Sequence, residues 1–172
     1  MGSSTTTICW KGRTLAADTQ LTFSDDTHVF CHKIHLLGDN HVVAIAGDYD
    51  AEFHFKRWLM AGAKVDEWVA SNILVKKPKF EAIYIDKNGN KWYYSNGPEA
   101  LPIESRFFAI GSGGKIAMAG MHMGLNAVDA VLLAGDIDIN TNKIVERYDI
   151  QTRRLFLKKP PVGAVLNESS SL

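Results

Sequence analysis

Along the chain, apolar residues fall in short runs that pair across turn residues, and between the pairs they recur at helical spacing. Ile8–Trp10 and Arg13–Ala17 flank Lys11-Gly12, where glycine can supply a positive φ, and predict a tight hairpin. A polar loop follows from Asp18 to Asp26, and then Val29–Leu37 and His41–Ala46 predict a second strand pair around Gly38-Asp39-Asn40. The run Val42–Ala46 stops at Gly47, after which Asp48 or Asp50 can cap a helix with Ala51, Phe55, Trp58 and Leu59 on one face. Val65, Trp68, Val69 and Ile73 mark a further helix, closed by Lys76-Lys77-Pro78. Phe80–Asp86 and Lys91–Ser95 predict a hairpin across Asn88-Gly89, and the apolar residues on both faces of Phe80–Ile85 ask for cover on each side. Arg106–Ile110 predicts a strand stopped by Gly111-Ser112-Gly113-Gly114. Two helices follow, one through Ile116, Ala119 and Met123 and one through Val128, Val131 and Leu132, broken at Gly124-Leu125-Asn126. Asp136–Ile139 closes that pair, and Ile144–Ile150 with Arg153–Leu157 predicts a final hairpin.

Strands, a helix pair, strands, a helix pair and strands, in that order, predict an α+β fold in which two stacked sheets carry helices outside, a four-layer α/β/β/α sandwich. The 172 residues, 46% hydrophobic, suffice for one packed domain over 1–172, with only 158–172 reading as an irregular tail. Nineteen basic residues balance nineteen acidic ones, which removes any electrostatic pull toward nucleic acid or anionic membrane. A secretory start and an apolar run long enough to span a bilayer are both missing from the sequence, so the expected location is the cytoplasm. Cys9 and Cys31 fit that compartment as free thiols in strands, a bridge between them staying open.

Three candidate chemistries fail on spacing. The glycine loop after Ile110 lacks glycine where Ile116 stands and so misses the dinucleotide pattern, and Ala109 and Ile116 break the Walker pattern. His32 and His35 point to opposite faces of a strand, and with Cys31 and His28 they find no second ligand pair for zinc. Met118, Met121 and Met123 read as core and interface filler.

Two features resist a bland reading. Lys33 lies between apolar strand positions, where an ammonium needs anionic partners, and Asp18 at the end of the first hairpin is the natural one. Thr5-Thr6-Thr7 leads straight into the strand at Ile8. Alone this is a frayed terminus entering an edge strand; as chemistry it is the pattern of an N-terminal nucleophile, whose hydroxyl attacks a carbonyl while its own α-amine takes the proton.

Thr6-Thr7-Ile8, Leu15-Ala16-Ala17-Asp18, Lys33-Ile34, Ala46-Gly47 and Ile110-Gly111-Ser112-Gly113-Gly114 occur in the order found in proteasome β-type subunits. Together with Ala134-Gly135-Asp136-Ile137 and Thr141-Asn142, the stretch from about Thr5 to Ile150 most resembles the HslV-type threonine peptidases. The resemblance implies the N-terminal-nucleophile sandwich fold and a peptidase that cuts unfolded polypeptide inside a homo-oligomeric ring served by an ATP-dependent unfoldase. It implies Thr6 as nucleophile, Asp18 and Lys33 as the pair that orients and activates it, and Gly47 as the backbone donor to the oxyanion. Ser112 then sits beside the α-amine and Asp136 anchors that serine. Gly135, Asp138 and Thr141 match a loop that binds a monovalent cation, Na+ or K+, through backbone oxygens, with no other cofactor. Ile45 matches a wall of the substrate pocket, and Asp48 and Tyr49, where the family has small residues, narrow the cleft.

The sequence departs from the pattern at its start. Thr6 has an α-amine only if Met1–Thr5, a propeptide or a cloning remnant, is removed; Thr5 replaces the glycine after which the family cuts itself. Ile139 replaces the serine that true proteasome β subunits carry after the aspartate, and the segment from Gly62 to Phe80 is trimmed. The alternative expectation is a catalytically silent scaffold subunit of the same fold. Trp58, Trp68, Met121 and Met123 are the apolar helical positions expected to drive self-association.

Overall fold

In strand Val42–Asp48 (β7), Val42, Ala44 and Ala46 bury against one cluster of side chains while Val43 and Ile45 bury against another. In strands Thr7–Lys11 (β2) and Thr14–Asp18 (β3), Ile8, Trp10, Leu15 and Ala17 join the first cluster, and Cys9 and Ala16 a third. Because strand side chains alternate in direction, three clusters on two sheets mean four layers. The molecule is therefore an α+β α/β/β/α sandwich; its computed structural model describes residues 3–4, 6–70 and 79–158. No helix among the described residues is long and apolar enough to cross a membrane.

The larger sheet also contains Ser3–Ser4 (β1), Gln20–Thr22 (β4), His28–Phe30 (β5), Ile34–Leu36 (β6), Phe80–Ile85 (β8), Lys91–Ser95 (β9) and Ala100–Pro102 (β10). Its order is β10-β9-β8-β7-β1-β4-β5, with β6 also paired to β7. The smaller sheet adds Phe107–Gly111 (β11), Val145–Asp149 (β12) and Arg154–Lys158 (β13), in the order β11-β2-β3-β12-β13. Every pairing in both sheets is antiparallel.

Helices Tyr49–Met60 (α1) and Val65–Ala70 (α2) cover the outer face of the large sheet, where Phe55, Trp58 and Trp68 meet Val43, Ile45, Phe80 and Tyr94. Each such buried side chain contributes about 1.5–3 kcal/mol. Gly114–His122 (α3) and Ala127–Ile137 (α4) cover the small sheet through Ala117, Met121, Ala130 and Val131. The Asn126 side chain caps α4 by accepting from the Asp129 N–H at 2.9 Å. Asp48 stands at the N-cap of α1, yet its carboxylate accepts from the Lys79 N–H at 3.3 Å instead.

Several expectations are corrected. The polar loop after Asp18 contains β4, because Gln20–Thr22 finds partners on both sides in β5 and β1. The expected strand Val29–Leu37 breaks at residues 31–33, where the Lys33 and Ile34 N–H groups go to a side chain, Glu146. β10 was not anticipated, and Lys158 ends β13 rather than opening a tail. Ile73 and Lys76-Lys77-Pro78 lie outside the described residues. Trp58, Trp68 and Met121 are buried in the chain's own clusters, so of the four positions expected to drive association only Met123 is exposed. Cys9 and Cys31 are both free.

Candidate active site

Thr6 enters β2 fully buried, and its hydroxyl donates to Asp18 Oδ1. That oxygen also accepts the Thr7 N–H at 2.9 Å, while Oδ2 accepts the N–H groups of Gln20 at 3.0 Å and Asn142 at 3.2 Å. Asp18 can hold this position because it ends β3, opposite Val145, the first residue of β12, where the ladder between the two strands stops. Burial raises its pKa above the ordinary carboxylate range, against the four hydrogen bonds, which act to lower it.

Lys33 is wholly buried, and its Nζ has no hydrogen-bond partner among the described residues. Burial lowers the amine's pKa, while Cys31, Asp18, Glu52 and Glu146 in electrostatic reach pull it back up. The expected direct bond to Asp18 is not made, because each carboxylate oxygen already has two donors.

A second chain of bonds reaches the same place from the other side. Ser112 Oγ donates to Asp138 Oδ2 at 2.6 Å, Thr141 Oγ1 donates to the same oxygen at 2.7 Å, and the Thr7 and Thr141 hydroxyls lie 2.7 Å apart. Burial would raise the Asp138 carboxyl, but the bonds from Ser112, Thr141 and Asn140 outweigh it and hold it below the usual range. Asp136, expected to anchor Ser112, instead lies on the exposed side of the last turn of α4, paired with Lys143. Two residues further on, the chain has left the helix and the Asp138 carboxylate can face inward.

Gly47 and Gly111 frame the site. Gly111 has φ +88°, and a Cβ there would overlap the Thr6 carbonyl, so glycine lets the β11 turn close over the threonine. Gly47 has φ +134°, and a Cβ there would overlap the Lys79 carbonyl and Phe80 Cα. Gly47→Ala is therefore expected to destabilise by at least about 1–3 kcal/mol through backbone strain alone, read as a lower urea midpoint at unchanged slope. Ile45 is wholly buried beneath α1, and Tyr49 opens α1 half exposed to solvent.

Gly135 lies on α4 just before the loop that holds Asp138 and Thr141. The side chains of those last two are committed to hydrogen bonds, and the Asp138 carbonyl accepts the Thr141 N–H at 3.0 Å. Among the described residues, no group of three or more His, Cys, Asp or Glu side chains could hold a metal ion.

The sequence matches no protein-family model and no curated protein. Among solved structures, eukaryotic HslV from Trypanosoma brucei aligns with a TM-score of 0.60 over 87% of this chain and 99% of that one, at 20% identity. The fold is the proteasome β/HslV type. Within this HslV-type fold, the sequence pattern did not mark Gln20 or Glu146 and gave no role to Thr7 or Asn142, whose contributions run through backbone N–H groups or through partners more than a hundred positions away. Thr7, beside Thr6, and Asn142, beside Thr141, stood within recognisable motifs.

Proposed function

We propose that this protein is a threonine-type endopeptidase whose nucleophile is the Thr6 hydroxyl, acting once Thr6 is the first residue of the chain. The observation that carries this reading is a buried threonine hydroxyl donating to a saturated, buried Asp18 beside a buried lysine that bonds to nothing described. In the mature form the Thr6 amine takes the hydroxyl proton as Oγ attacks the scissile carbonyl, and then delivers it to the leaving amine. Asp18 fixes the hydroxyl, the Lys33 charge favours the alkoxide, and the Gly47 backbone N–H meets the developing oxyanion. Thr7, Thr141, Asp138 and Ser112 hold the strand end that bears the amine. Water attacks the acyl-threonine in the second half-reaction, by the same proton route reversed.

An extended polypeptide suits the cleft. Ser3 and Ser4 already run as a short antiparallel strand opposite Asp48 and Gly47 of β7, with Ser3 also opposite Thr22 of β4. A substrate strand would add to the same edges once that segment is gone. The reading extends to a cytoplasmic homo-oligomeric ring fed by an ATP-dependent unfoldase, with Met60, Met123, Ile137 and Ile139 as apolar surface to be covered. A monovalent cation on the backbone oxygens of Gly135, Asp138 and Thr141 would add a fixed positive charge to that loop. The second reading is a silent subunit of the same fold, which applies wherever the Thr6 nitrogen stays an amide and can serve as no base.

A peptide vinyl sulfone decides between them. It is expected to add one inhibitor mass to the fragment beginning with Thr6 in the chain that starts there. Labelling of another residue, or of none, overturns the proposal in favour of the silent subunit.

A further inference from the structure

Glu146 is 1% exposed and faces the interior between the two sheets, on the same side of the small sheet as Ala17 and Tyr148. A carboxylate among apolar side chains is costly unless its oxygens are filled. Its partners are unusual: Oε1 accepts the backbone N–H groups of both Lys33 and Ile34, the latter at 2.8 Å, and Oε2 meets His32 Nδ1 at 2.9 Å. The Lys33 N–H lies in the 31–33 break between β5 and β6, and the Ile34 N–H is the first of β6. The Lys33 carbonyl is held from the opposite side by the Ile45 N–H of β7 at 3.2 Å. The residue next to Glu146 in β12, Val145, stands in register with Asp18. One strand of the small sheet thus fixes both where Asp18 ends and where the Lys33 backbone lies in the other sheet.

We propose that Glu146 is the positioning residue for Lys33, clamping its main chain across the sandwich so that the amine is delivered to the Asp18–Thr6 pair without a hydrogen bond of its own. The proposal rests on the peptidase reading for its effect on rate, and not for its effect on the lysine. Reach is what matters: the clamp needs an acceptor oxygen at the end of a two-methylene side chain. Glu146→Gln keeps the reach and loses the charge, and Glu146→Asp keeps the charge and loses the reach.

Both variants, in the full chain, are acylated with an amine-reactive acetylating reagent, and modification of Lys33 is followed by mass spectrometry against the exposed Lys64 as internal standard. The same substitutions in the Thr6-start chain give kcat and KM on a peptide. Expected are a protected Lys33 and most of the parent kcat in Glu146→Gln, but in Glu146→Asp an acylated Lys33 and kcat down about 10²-fold with KM little changed, the loss a misplaced catalytic group produces. The reverse order, with Gln exposed and Asp protected, would show that the charge and not the clamp acts, and overturns the proposal. So does a protected Lys33 in both, or an acylated Lys33 in both. A parent without peptidase activity sinks the functional reading alone, because the acylation pattern still reports on the clamp.

Discussion

With Thr6 as its first residue, the protein is expected to degrade unstructured polypeptide, and the chain that keeps residues 1–5 is expected to be slower by about 10²–10⁴-fold, the usual worth of a positioned general base. Two physical differences separate the forms. In the longer one the Thr6 nitrogen is an amide, and Ser3–Ser4 occupies the edges of β4 and β7 that a substrate strand would use. Thr6→Ala in the short form removes the remaining activity, and Thr6→Ser retains part of it because the hydroxyl survives while the rotamer restriction of a β-branched side chain is lost. The rate should climb as the α-amine loses its proton, about pH 7.7–8.0 for a free terminus. It should fall again below the 10.5 of an ordinary lysine, because burial makes Lys33 shed its proton early. Release of labelled casein fragments by the two forms is the measurement, and equal rates would refute Thr6 as an N-terminal nucleophile.

Lys33→Met should uncouple stability from activity. The amine is wholly buried with no described hydrogen-bond partner, so folding carries a desolvation that the nearby carboxylates only partly offset. A thioether of similar length removes that penalty, and because the Lys33 amine has no described hydrogen-bonded partner to leave orphaned, the replacement should be neutral to mildly stabilising. Turnover in the Thr6-start chain should nevertheless drop by about 10²–10³-fold, as when one electrostatic donor to a transition state is lost. The sign of the pH dependence follows from the lowered amine pKa. Between the folded value and the unfolded 10.5 the unfolded chain binds more protons, so the parent gains stability as pH rises through that window. Lys33→Met should lack the gain. Urea melts at neutral and alkaline pH test this, and a variant less stable than the parent at both would mean that the ammonium is paired in solution.

Much of the sandwich is legible because both periodicities are strong where they occur. The Lys11-Gly12 and Asn88-Gly89 turns give hairpins, and Ala51, Phe55 and Trp58 give the α1 face. The break at 31–33 was not legible, because it depends on a glutamate that acts more than a hundred residues later. Asp18 and Lys33 were visible as charges in apolar surroundings, but their lack of a mutual bond was not, since Asp18 is filled by backbone N–H groups that no side-chain pattern encodes. Asp136 and Asp138 are indistinguishable by composition; where α4 ends decides which one reaches Ser112.

The bonds that build the site span very long stretches of sequence, 134 positions from Thr7 to Thr141, 124 from Asp18 to Asn142 and 113 from Lys33 to Glu146. Such contacts close late, because the loop entropy they remove must be overcome before they contribute. During synthesis, then, the threonine emerges first and its surroundings last. A chain still on the ribosome carries the hydroxyl without the donors that fill Asp18, the Glu146 bonds or the Ser112–Asp138 bond, so on the proposed peptidase reading it is expected to cut nothing until the molecule is whole.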